Sequence, residues 1–226
     1  MRAQSGLLHT CREAACVLLA ILLAAPSAGQ TSGAVILACA TDRNPSLLAY
    51  TFDMTVAMRM RHFPWLPLHM SGTGRFVRGQ SYVVKFSQEP AFAKIQTIDL
   101  SALDPSMWQR EYSIQFAGSD SGLSSFILRP LRVDSRDGNA LRDALVTLDD
   151  RYATRSVEYH YRSGDIRMNV TPAAVQDYRL PGAGAINVNL RGSALSGSAN
   201  FSNYATIRDA KSSAIRTWEQ CATGIS

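Results

Sequence analysis

Residues 47–62 read LLAYTFDMTVAMRMRH and alternate apolar with small or polar side chains almost without interruption. The apolar members occupy the even positions, which are Leu48, Tyr50, Phe52, Met54, Val56, Met58 and Met60. Because successive side chains of a strand point to opposite faces, this spacing predicts a strand with one apolar face and one solvated face. The stretch is about twice the usual strand length of about five or six residues. It therefore predicts a long, one-sided sheet.

The same alternation recurs along the rest of the chain. It is visible in SYVVKFS (81–87), SVEYHY (156–161), IRMNVT (166–171) and INVNL (186–190). Short polar or glycine-containing stretches separate these segments, and GAGAIN (182–187) is interpreted as one such turn. We count about eight to ten strands in this pattern, which is typical of an antiparallel meander with one dry face.

Three short segments have helical signals. They are SGAVILACATD (32–42), LDPSMWQREY (103–112) and GNALRDAL (138–145). In the second segment Asp104 is a candidate N-cap and Pro105 suits the first helical position, so Met107 and Trp108 become its apolar residues. A large sheet with a dry face needs a cover, and about two or three such helices are the available material.

The first 29 residues predict a secretory signal peptide. Arg2 and Arg12 precede the apolar run AACVLLAILLAA, which is too short to span a bilayer, and small residues follow it. Cleavage after Ala28 or Gly29 leaves a single domain over residues 30–226, exported to the periplasm or secreted. The alternative is an uncleaved membrane anchor. Removing residues 1–29 lowers the net charge from +5 to +4, because Arg2, Arg12 and Glu13 leave with them.

Cleavage leaves two cysteines, Cys39 and Cys221. In an oxidising compartment a matched pair predicts a disulfide between the two ends of the domain. The alternative is two unpaired thiols.

The sequence offers no constellation for catalysis. His62, His69 and His160 have no metal-ligand spacing, and the carboxylates at 149–150 would point to opposite faces of a strand. We therefore expect no enzyme, no cofactor and no metal site, with a hydrolase of dispersed active site as a minor alternative. The basic residues are spread along the chain rather than clustered, so we expect no nucleic-acid partner.

The order of these parts resembles the periplasmic lipoprotein carrier, or outer-membrane lipoprotein-sorting, superfamily. The resemblance rests on the signal peptide, the long first strand, GTGRFVRGQSYVVKFS (72–87), TLDDRYATRSVEYHY (147–161) and GSANFSNYATI (197–207). It implies a mainly β fold, in which a single curved antiparallel sheet forms an incomplete half-barrel. Two or three short helices would cover its concave apolar face.

On this reading the apolar face of the first strand lines a ligand-binding cleft. The predicted lining residues are Phe52, Met54, Val56, Met58, Met60, Met70, Phe76, Met107 and Trp108. Methionine is unbranched and polarisable, which suits contact with flexible acyl chains. The alternative is that the same stripe is packed core.

The predicted function is that of a periplasmic binding or carrier protein for a lipid or the acyl chain of a lipoprotein, with envelope proteins as further partners. Two alternatives remain open, a non-lipid envelope sensor or scaffold and a small outer-membrane β-barrel.

Overall fold

The computed structural model describes residues 32–63, 65, 67–88, 97–132, 140–209 and 221, so the predicted signal peptide lies outside the described residues. Eleven strands form one sheet. Their bounds are β1 Leu47–Met60, β2 Pro67–Val77, β3 Ser81–Gln88, β4 Thr97–Asp99, β5 Tyr112–Asp120, β6 Leu123–Pro130, β7 Leu141–Leu148, β8 Thr154–Tyr161, β9 Gly164–Val175, β10 Tyr178–Leu190 and β11 Ser193–Arg208. Two α-helices, α1 (Gly33–Thr41) and α2 (Pro105–Glu111), and a 3₁₀ helix (Ser101–Leu103) complete the described elements.

The sheet is antiparallel, and neighbouring strands are consecutive in the chain except where β1 pairs with β11. Its order is β4-β3-β2-β1-β11-β10-β9-β8-β7-β6-β5, so the first and last strands pair at its centre. The two edges, β4 and β5, are consecutive in the chain and are joined through the 3₁₀ helix and α2. The sheet is therefore open, and the connection from one edge to the other covers its apolar face. This confirms the predicted fold class.

The first strand matches its prediction except at one residue. Tyr50, Phe52, Met54 and Val56 are all buried, but Leu48 is 42% exposed. The register of β1 against β11 shifts between Leu47 and Ala49, and this irregularity turns Leu47 inward instead of Leu48.

The cover forms where the sequence predicts helices. Asp104 caps α2 by accepting a hydrogen bond from the Ser106 backbone N–H at 2.9 Å, and Pro105 occupies the first turn. Met107 and Trp108 lie on the buried side of α2. Helix α1 follows the predicted segment 32–42 closely and buries Ile36 and Cys39.

Two predicted elements are wrong. The predicted helix 138–145 lies within the described residues only from residue 140, and there Leu141–Leu148 is a strand that pairs with β6 and β8 and buries Ala144, Val146 and Leu148. Segment 182–187 is not a turn but the middle of β10, with a register shift between Pro181 and Ala183. Cross-strand pairing therefore overrides the local helix and turn signals in both places.

Cys39 and Cys221 are joined as a disulfide, as predicted, with Cα atoms 5.8 Å apart. The bridge ties α1 to a residue 182 positions later in the chain. Among the described residues, no helix has the length and apolar character needed to cross a membrane.

Candidate functional site

The concave apolar face brings the nine predicted cleft residues together on one side of the sheet. Seven of them are buried with at most 4% exposure, namely Phe52, Met54, Val56, Met70, Phe76, Met107 and Trp108. Met58 and Met60 are only half-buried, and Met58 packs against the edge of the core. The predicted lining residues are thus buried over most of β1 and half-buried at the end where Met58 and Met60 lie.

The deepest part of this face is a cluster of aromatic rings. Tyr50 stacks on Phe76 with ring centroids 4.8 Å apart, and Tyr82 meets Phe76 edge-on at 5.3 Å. Phe52 stacks on Tyr204 at 5.7 Å. Offset and edge-on contacts of this kind stabilise a core beyond simple area burial. The cluster gives the concave face a rigid aromatic floor.

Sequence reasoning missed three tyrosines of this floor. The alternation of β1 and β3 already places Tyr50 and Tyr82 on the apolar face, so the signal was present. Tyr204 gave no such signal, because it follows Phe201 by an odd number of residues. The backbone of Asn203 takes a positive φ of 53°, and this irregularity turns Tyr204 toward the floor.

The cover, defined as residues 100–111, is tied to the sheet and its turns by hydrogen bonds near both of its ends, among them one from Arg110 Nη1 to the Gly79 carbonyl at 2.9 Å. The Leu100 backbone N–H donates to the Tyr82 carbonyl at 2.8 Å, and Thr154 Oγ1 donates to the Leu103 carbonyl at 2.8 Å. Trp108 Nε1 donates within the cover itself, to the Ala102 carbonyl at 3.1 Å. Apolar burial of Met107 and Trp108 adds to this attachment.

The buried tyrosine hydroxyls stay protonated far into the alkaline range. Burial raises the pKa of Tyr112 to about 12, although its hydroxyl shares a 2.8 Å hydrogen bond with Ser101 Oγ. Burial also raises the pKa of Tyr50, Tyr82 and Tyr159 above the ordinary value. The apolar interior thus disfavours charge throughout.

Arg43 brings a cation to the border of this interior. Its Nη1 donates to the Tyr152 carbonyl at 3.2 Å, whereas its buried Nε has no hydrogen-bond partner among the described residues. A cavity of about 10 Å³ lies beside it, lined also by Thr154 and Arg179. That volume holds about one water molecule, which could satisfy the unpaired N–H.

The two ends of the sheet differ in how completely the apolar face is covered. At one end, the loop after α1 is held against the β2–β3 turn by Arg78, whose Nε donates to the Leu47 carbonyl at 3.0 Å. At the opposite end, called the methionine end, β1 finishes with Met58 and Met60. Ile166 and Val188 are likewise only half-buried there and pack against the core. The apolar face is therefore less completely buried at the methionine end.

A groove of about 390 Å³ lies on the other, solvated face near the same end. Ala57 and Ser198 form its small floor between Arg59 and His69. His69 is exposed there, as its position on the polar face predicts. Met58 and Pro67 also line this groove, so its lining is not purely polar.

Comparison with known proteins identifies the fold. No protein-family model and no curated protein matches the chain. Among solved structures, a LolA superfamily protein from Nitrosomonas europaea is 10% identical, with 80% of this chain and 95% of that chain covered and a TM-score of 0.54. A DUF1329 family protein from Desulfovibrio piger is 10% identical, with 76% and 90% covered and a TM-score of 0.52.

A putative outer membrane lipoprotein-sorting protein domain from Vibrio parahaemolyticus is 14% identical, with 75% and 91% covered and a TM-score of 0.49. At these identities the first two structures establish a shared fold with this chain. That fold is an open, curved antiparallel sheet with few helices, as expected from the sequence.

Proposed function

We propose that the protein is an exported binding or carrier protein for a lipid or an acylated ligand. The observation that carries the proposal is a one-sided sheet of eleven strands whose apolar face is covered by a single connecting segment, residues 100–111. The likeness to a structure described as a LolA superfamily protein supports it at the level of the fold. Binding rather than catalysis fits an interior of apolar side chains and protonated tyrosines.

An acyl chain can take the place of the apolar contacts that the cover makes. Each methylene group removed from water contributes about 0.8 kcal/mol, so a chain of ordinary length offsets the loss of contacts to Met107 and Trp108. The half-buried Met58 and Met60 mark where a chain would enter.

Trp108 offers a direct readout of acyl binding, because its ring belongs to the cover and is fully buried against Phe126 of the sheet. In a variant carrying Trp65→Phe and Trp218→Phe, emission comes from Trp108 alone. We expect fatty acids brominated along the chain to quench this emission, while the unbrominated parents leave it unquenched. Saturable binding without quenching would place the ligand elsewhere, and absence of binding would reject the proposal.

Met58→Asp tests the route of access. Met58 is half-buried at the methionine end, so a carboxylate there should reduce acyl binding at least tenfold while the domain still folds. A charge costs little stability at a site that retains contact with water. Ala57→Asp is the matched control, since it places the same charge on the adjacent, exposed face of β1. Equal binding by the two variants would contradict access at Met58.

The second candidate is a non-lipid envelope sensor or scaffold whose apolar face is merely its core. It is favoured by the near-complete burial of seven of the nine predicted cleft residues. Under this alternative Met58→Asp leaves no binding to lose, and extraction of the protein purified from its host yields no bound lipid. Mass spectrometry of that extract separates the two candidates.

A further inference from the structure

The connection from β1 to β2 exposes two aromatic rings at the methionine end. Trp65 is 75% exposed and Phe63 is 51% exposed. Their ring centroids lie 5.7 Å apart at an interplanar angle of 90°. Exposed aromatic side chains of this size are costly in water, and tryptophan in particular is favourable at the headgroup level of a bilayer. The pair therefore has the character of a membrane-contacting tip.

Arginines surround this tip. Arg59 and Arg61 lie at the end of β1, and Arg162 and Arg191 lie in the β8–β9 and β10–β11 turns; all four are exposed. No carboxylate among the described residues forms an ion pair with any of them. The nearest acid along these segments is Asp165 in β9, which faces His160 in the strand register.

Backbone hydrogen bonds hold the three basic turns side by side. The Arg61 N–H donates to the Ala194 carbonyl at 2.8 Å, and the Arg191 N–H donates to the Ser163 carbonyl at 2.7 Å. The first bond joins the end of β1 to the start of β11, and the second joins the β10–β11 turn to the β8–β9 turn. The four arginines thus belong to one rim of the sheet rather than to separate surfaces.

The opposite end of the sheet has the reverse charge character. Its turns and loops carry Asp42, Asp149, Asp150, Asp177 and Asp209. Arginines are present there too, but Arg78 lies 3.8 Å from Asp42 and Arg208 lies 3.0 Å from Asp177. Among the described residues, the four arginines beside the exposed aromatic pair thus have no acidic partner, whereas Arg78 and Arg208 at the opposite end do.

We infer that the methionine end docks on the surface of an anionic phospholipid bilayer. Phe63 and Trp65 enter the headgroup region, and Arg59, Arg61, Arg162 and Arg191 contact lipid phosphates. Charge complementarity and the exposed aromatic pair together favour a bilayer over a protein partner. The docking does not require a ligand in the interior, and it brings the accessible end of the apolar face against the membrane.

The test is flotation of the purified protein with vesicles of phosphatidylcholine alone and of phosphatidylcholine with phosphatidylglycerol. We expect binding to the anionic vesicles, weakened by salt, and little binding to the neutral ones. Arg61→Ala and Arg191→Ala should each weaken binding about fivefold, the contribution expected of one arginine at an anionic surface. The double variant Phe63→Ala, Trp65→Ala should lose most of the remaining binding.

Matched controls lie at the opposite end of the sheet. Arg151→Ala removes an exposed arginine there, and Ile207→Ala removes an apolar side chain that is 61% exposed. Both should bind vesicles like the unmodified protein. Absence of vesicle binding, equal binding to neutral and anionic vesicles, or equal losses in the control variants would overturn the inference. Quenching of Trp108 by brominated acyl chains is a separate readout, so failure of docking and failure of acyl binding are distinguishable.

Discussion

Gly74 shows how one residue without a side chain shapes the concave face. It lies directly opposite Phe52 across the β1–β2 ladder, and the Phe52 ring rests on its backbone. A Cβ atom at position 74 would lie 1.9 Å from Phe52 Cζ. Phe52 is itself held by Tyr82, Phe201 and Tyr204, so its ring has little room to move.

Gly74→Ala should therefore destabilise the fold by about 1–3 kcal/mol, the usual cost of overpacking a core. Urea unfolding followed by circular dichroism measures it. Gly184→Ala is the matched control, because a Cβ there has no contact shorter than 3.1 Å. Phe52→Leu in the Gly74→Ala background should recover part of the loss, since the smaller side chain relieves the overlap. Equal costs at positions 74 and 184 would show that the ring is not the obstacle.

The cover depends on a cap at its centre. Asp104 Oδ1 accepts hydrogen bonds from the backbone N–H and the hydroxyl of Ser106 at 2.9 and 2.6 Å. Asp104→Ala should cost about 1 kcal/mol of global stability. Because the cap orients α2 over the sheet, hydrogen exchange within residues 105–111 should rise more than exchange in β1. Asp120→Ala, at the exposed end of β5, should change neither quantity. A uniform rise in exchange would show that the cover does not open separately from the sheet.

The sequence was informative where local pattern and tertiary packing agree. The alternation from Tyr50 to Val56 and the Asp104–Pro105 cap both predict what the structure shows. Segment 138–145 was mispredicted because its leucine and alanine spacing also fits a helix, and only pairing with β6 and β8 decides for a strand. The orientations of Leu48 and Tyr204 were not predicted because each lies beside an irregularity in the strand. A shift of one residue moves a side chain to the opposite face of the sheet.

The candidate site could be predicted from the sequence only in part. Alternation names the residues of an apolar face, but it does not tell whether a cover fills the space above that face. The rim of arginines was also out of reach, because Arg61, Arg162 and Arg191 become neighbours only through the strand register.

At the scale of the whole molecule, the buried tyrosines predict alkaline unfolding. The unfolded chain releases tyrosine protons near pH 10, whereas the folded pKa of Tyr112 is raised to about 12. Between these values the folded state binds more protons than the unfolded state, so stability falls as pH rises. Below pH 10 the stability is fully retained.

Urea titrations at pH 9 to 12 should show this fall together with tyrosinate absorbance on unfolding. Tyr112→Phe should make the fall of the unfolding free energy with pH less steep, by the contribution of about one proton. This holds whatever the effect of the substitution on stability at neutral pH. An unchanged slope would mean that Tyr112 already ionises in the folded protein.

The pairing of β1 with β11 imposes an order on biosynthesis. A chain that emerges from its amino terminus presents β1 almost 150 residues before Phe201, the partner of Met54, becomes available. Until then the central ladder is missing and the nascent chain has two incomplete sheets with exposed apolar faces. Transiently exposed apolar surface and unpaired strand edges make such a chain prone to aggregation. Chains that end at residue 190 should accordingly remain protease-sensitive, and addition of residues 191–226 should confer resistance in one step.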